Sequence, residues 1–102
     1  MIVFNTTFHV EEEVHEDFIE YMLQIFIPHS TRSGLLTSPR LARVMGKEED
    51  EGYSYAMEFT ASGIAELDRW NAEESTFIYT PLLHKFKEKI AGFSTVMLTV
   101  DY

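Results

Sequence analysis

Ile2–Val10, IVFNTTFHV, alternates residue by residue. Ile2, Phe4, Thr6, Phe8 and Val10 share one parity, and Val3, Asn5, Thr7 and His9 share the other. Side chains on a strand point to opposite faces with a period of two, so this is a strand with one core face and one more polar face. Thr6 is the hydroxyl in an otherwise apolar row.

The glutamates at 11, 12 and 13 suit the first turn of a helix, where carboxylates favour the macrodipole. Residues 11–27 then read as helix. Val14, Phe18, Tyr21, Met22 and Ile25 form one stripe, and Ile19, Leu23, Phe26 and Ile27 carry the apolar surface round to the far side. That arc is roughly twice the ~100° of an ordinary surface helix, which calls for a second burial partner. Pro28 is expected to stop the helix, leaving 29–34 as loop.

Strands are predicted at 37–45 and 53–60, joined by a polar connection bounded by Gly46 and Gly52. Pro39 cannot donate a ladder hydrogen bond, so the first of these belongs at a sheet edge. Whether Arg40 or Arg43 shares a face with Glu58 depends on the hairpin register, which the pattern leaves open. Ser62 is a candidate N-cap for a helix carrying Ile64, Leu67 and Trp70. Thr80 and Pro81 resemble a second helix start, with Leu82, Leu83, Phe86 and Ile90 inward and Gly92 closing it. Phe77, Ile78 and Tyr79 between the two should lie against the core. Residues 93–102 are the last strand.

The resulting order is βαββαβ in one α+β domain spanning residues 1–102. With right-handed crossovers it folds into a four-stranded antiparallel sheet, order 4-1-3-2, with helices on one face. That order puts the Pro39 strand at the edge.

Composition narrows the function. The 102 residues include no cysteine, which excludes disulfides, thiolate catalysis and cysteine-ligated zinc or iron–sulfur centres. The net charge of -9 argues against nucleic acid and against anionic membrane surfaces. Lys85, Lys87 and Lys89 are too few to reverse that field and read as a solvated face. No apolar run reaches the length of a membrane span, and the N-terminus lacks the features of a signal peptide, so a cytoplasmic location is expected.

His9, His15, His29 and His84 show no metal-binding spacing, and 48–51 lack the alternating ligands of a calcium loop. No metal and no cofactor is expected. The helix-free sheet face is the place for a site: Asn5, Thr7 and His9 project there, and Glu58 is placed to join them. Asn5, His9 and Glu58 are the candidate ligand-binding residues. The plainer reading is that they satisfy one another in a subunit interface.

Four segments carry a resemblance: MIVFNTTFHV (1–10), IPHSTRSGLLTSPRLARV (27–44), YSYAMEFTASGIAEL (53–67) and FSTVMLTV (93–100). Together they resemble a family of short bacterial proteins described as a domain of unknown function, within the dimeric α/β-barrel superfamily. The resemblance implies a ferredoxin-like fold and a homodimer paired through its sheets. It implies no activity. The superfamily also includes antibiotic-biosynthesis-type monooxygenases and haem-degrading enzymes. The haem degraders use an Asn on the first strand with a Trp and a His on later helices. Asn5, Trp70 and His84 match those types in order, although Trp70 and His84 stand about one helical turn further apart than that arrangement implies. The reading adopted is a non-enzymatic or ligand-binding homodimeric module; the alternative is a monooxygenase-like or haem-degrading enzyme, and a third reading is a purely structural interaction domain without a cavity.

Overall fold

The computed structural model describes residues 1–45 and 52–101. β1 (Ile2–Val10) buries Ile2, Phe4, Thr6, Phe8 and Val10, the parity expected to face the core. It pairs antiparallel with β3 (Tyr53–Ala61) on one side and β4 (Ile90–Leu98) on the other. β2 (Thr37–Arg43) lies outside β3, so the order β2-β3-β1-β4 is the expected 4-1-3-2 read from the other end. Pro39 therefore sits at an edge. The register slips between Thr37 and Arg40, and Ser38 there takes a left-handed φ of 52°. The expected connection at 46–52 lies outside the described residues except for Gly52. At Gly52 φ is +106°, and an added Cβ would collide with the Val10 carbonyl.

The register settles the arginines. Arg40 lies opposite Glu58 and Arg43 opposite Tyr55, so Arg40 shares the Glu58 face. The Arg43 guanidinium rests over the Tyr53 ring, 4.5 Å from its centroid.

The first helical region departs from expectation at Pro28. A short 3₁₀ turn (Glu12–Val14) leads into α1 (His15–Tyr21), a π-helical stretch (Met22–Phe26) and α2 (Ile27–Thr31). Pro28 stands in the first turn of α2, where a missing N–H is tolerated, so the chain stays helical to Thr31. The wider π turns also shift the buried face. Phe18, Met22 and Phe26 point inward, and Ile25, expected in the stripe, is exposed.

The second helical region departs from expectation at several points. α3 (Ile64–Glu73) is capped at Gly63 rather than Ser62, without a side-chain cap, because the helix starts one residue later. α4 (Ser75–Phe86) runs continuously through Pro81, which lies on the exposed side of the helix. At ~100° per residue this continuity buries Ile78, Leu82 and Phe86 but turns Phe77 away, 82% exposed, and leaves Leu83 on the flank, also exposed. Gly92 ends no helix. Lys87, at φ 51°, leads from α4 into a 3₁₀ turn (Lys87–Lys89), and Gly92 lies within β4 opposite Phe8, so the last strand starts at Ile90.

All four helices pack on one face of the sheet. Their core is strongly aromatic: Phe8 meets Phe18 edge-on at 5.3 Å, and Trp70 lies against Phe4 at 5.9 Å and Tyr79 at 6.2 Å. Burying each such side chain contributes about 1.5–3 kcal/mol, which holds the helices to this face.

Candidate functional site

The helix-free face is built by alternation. β1 contributes Val3, Asn5, Thr7 and His9, and β3 contributes Ser54, Ala56, Glu58 and Thr60 in register with them. β2 adds Arg40 and Ala42, and β4 adds Ala91, Phe93, Thr95 and Met97. The three candidate residues Asn5, His9 and Glu58 share this face, and Asn5 lies directly opposite Glu58.

Each finds a partner within the sheet. Asn5 Nδ2 donates to Thr7 Oγ1 at 3.0 Å, His9 Nδ1 meets Ser54 Oγ at 3.5 Å, and Arg40 forms an ion pair with Glu58 at 3.0 Å. Beside this polar band, Phe93 is 65% exposed and Met97 43%. The face therefore combines satisfied polar pairs with uncovered apolar side chains.

Asn5, Trp70 and His84 are not brought together. Asn5 is on the open face. Trp70 is fully buried on the other side of the sheet, and its Nε1 donates to the Ser30 carbonyl at 3.0 Å. His84 is exposed on α4, turned away from the buried row Ile78, Leu82 and Phe86. Among the described residues, no three His, Asp or Glu side chains are placed to hold a metal ion. No helix among them is long and apolar enough to cross a membrane.

Sequence reasoning missed a hydroxyl cluster on the helix side. Thr6 Oγ1 lies 2.9 Å from Ser94 Oγ and 3.4 Å from Tyr79 OH. Burial pushes the Tyr79 phenol up from its ordinary range, partly offset by the hydrogen bond with Thr6. The signal was present: Thr6 interrupts an apolar row, and a buried hydroxyl needs partners. A shallow groove of about 260 Å³ lies elsewhere, between α1, the π stretch and α4. Its lining includes Asp17, Glu20, Gln24 and Lys85, all exposed to solvent.

Among the solved structures that share this fold are three of differing description. A dimeric ferredoxin-like protein from an uncultured marine organism is 18% identical, with a TM-score of 0.69 over 99% of this chain and 96% of its own. An ethd family protein from Bacillus halodurans is 16% identical, with a TM-score of 0.70 over 98% and 100%. A mutant of SnoaB, a cofactor-independent oxygenase from Streptomyces nogalater, is 12% identical, with a TM-score of 0.60 over 99% and 94%. No curated protein matches the sequence significantly. Residues 1–100 match the family described as a domain of unknown function (DUF4286). The chain therefore belongs to that family, and its fold is the ferredoxin-like sandwich that these structures share.

Proposed function

We propose that the protein is a homodimeric module, paired through the open face of its sheet, that holds a small molecule between sheet and helices. The observation that carries this reading is β4. Residues 90–100 contain no charged side chain, and 91–100 are all exposed. A long, uncharged edge strand is an aggregation hazard unless something covers it. The opposite edge, β2, is guarded by Pro39, Arg40, Arg43 and an irregular register.

A second copy suits the open face. Asn5, His9 and Glu58 already have partners, so covering them leaves few polar groups unsatisfied, while Phe93 and Met97 supply apolar area. A structural neighbour described as dimeric supports the same reading. Asn5, His9 and Glu58 would then line the join, and a cytoplasmic setting belongs to this proposal. The monooxygenase-like or haem-degrading alternative would need Asn5, Trp70 and His84 to converge from both sides of the sheet and the outside of α4.

Sedimentation equilibrium at micromolar concentration tests the pairing. The expected mass is twice the 11.8 kDa of one chain, and Phe93→Glu should halve it. A wild-type monomer would overturn the proposal.

A further inference from the structure

Asp17, Glu20 and Tyr21 stand at i, i+3 and i+4 on α1, so they share one side of that helix. Gln24 and Ile25 follow from the π-helical stretch, and Lys85 adds a wall from α4. Together these six line the groove of about 260 Å³. It opens on the outer side of the helix layer, away from the sheet face assigned to pairing, and stands independently of that reading.

Tyr21 sets this groove apart from an ordinary solvated face. The residue is only 8% exposed, and its ring packs edge-on against Phe86 at 5.8 Å. Burial raises its phenol above the ordinary range, and no hydrogen bond opposes the rise. Among the described residues its hydroxyl has no partner, although the side chain is sealed everywhere but at the groove it lines. Tyrosine hydroxyls on buried rings ordinarily find one. The backbone adds a second sign. A π-helical stretch is rare and is frequent at functional sites, and this one turns Ile25 out into the groove, 40% exposed.

We propose that this groove binds a small primary amine in its ammonium form, with Asp17, Glu20 and Tyr21 accepting its N–H groups and Ile25 packing on its alkyl chain.

An ammonium carries three donors and no acceptor, which matches a groove that supplies oxygens. Neither Asp17 nor Glu20 forms an ion pair among the described residues. Lys85 does not neutralise them, since its Nζ rests over the Phe86 ring, 5.6 Å from the centroid. The chain's charge of -9 draws cations toward the surface and repels anions. A divalent metal ion fits poorly. Two carboxylates fall short of the oxygen shell it needs, and among the described residues no three acidic or histidine side chains converge to hold one.

The test is an amide NMR titration with n-butylamine at neutral pH. Tetramethylammonium keeps the charge without N–H groups, and n-butanol keeps the chain without the charge. Saturable shifts confined to 17–25 and the end of α4 are expected, with tetramethylammonium about 3- to 10-fold weaker and n-butanol without effect. Glu20→Gln and Tyr21→Phe should each weaken n-butylamine about 3- to 10-fold. Lys85→Met should tighten it by removing a like charge. Asp68→Asn removes one charge from an exposed position on α3, outside the groove, and should change nothing. Tyr21→Phe should keep the wild-type melting temperature, because the hydroxyl has no partner to lose, so weaker binding is not weaker folding. Shifts spread evenly over the acidic surface, an equal response to Asp68→Asn and Glu20→Gln, or indifference to Tyr21→Phe would overturn the site.

Discussion

Trp70 Nε1 donates to the Ser30 carbonyl at 3.0 Å, joining α3 to α2 across 40 positions of chain. Both residues are fully buried, and the indole also lies against Phe4 and Tyr79. The bond fixes where the π-containing helix ends relative to α3.

Trp70→Phe removes the donor, orphans a buried carbonyl and leaves a void. The expected destabilisation is about 2–4 kcal/mol, read as a lower urea midpoint with an unchanged slope. A change under 0.5 kcal/mol would mean that the neighbouring helices close over the gap.

Lys89 Nζ lies 2.8 Å from Glu13 and 3.6 Å from Glu11, holding the approach to β4 against the start of the first helical region. The hydrogen bond from Lys89, and then its charge, hold Glu13 below the ordinary carboxylate range. The hydrogen bond to Glu13, with the charges of Glu11 and Glu13, raises Lys89. A lowered carboxylate stabilises above its unfolded value, and that stability is lost as pH falls through the folded one. A raised lysine stabilises below its unfolded value, and that stability is lost as pH rises through the folded one. The melting-temperature gap between wild type and Lys89→Met should therefore be small, flat near neutral pH, and close at both extremes. It should also shrink in molar salt.

Haem should not bind in a defined way. His84 faces solvent, Trp70 is sealed in the core, and Asn5 is across the sheet. Titrating haem should give no saturable Soret shift and none lost in His84→Ala. A stoichiometric, His84-dependent spectrum, bleached by reductant and oxygen, would promote the enzymatic alternative.

Amide exchange should rank the strands. β1 is hydrogen-bonded on both sides, and β2 only to β3. Amides of β1 should exchange slowest, and alternate amides of β2 should exchange fast. Slow exchange throughout β2 would mean that this edge, too, is covered.

The candidate site was legible in part. Parity alone placed Asn5, Thr7 and His9 together, because a strand's two faces follow from its backbone geometry without knowledge of what lies beyond. Glu58 joined them through a pairing register that local pattern does not encode. The same register chose Arg40 over Arg43 as its partner. The hydroxyl cluster was not read from the sequence, since Thr6, Tyr79 and Ser94 come from three elements and 88 residues separate Thr6 from Ser94.

The sequence by itself determined β1, the element order and the edge position of β2. Alternation, helical stripes and the missing N–H of Pro39 are local facts about the chain. Only the tertiary structure decided that Pro28 and Pro81 lie within helices, that Phe77 faces outward and that Asn5 and Trp70 lie on opposite sides of the sheet. A proline's cost depends on whether its turn is an initial one or an exposed one, and neither is visible from its neighbours in sequence. The inward face of a helix is chosen by the summed burial of its whole length, so a continuous α4 turned Phe77 to solvent in order to bury Ile78, Leu82 and Phe86.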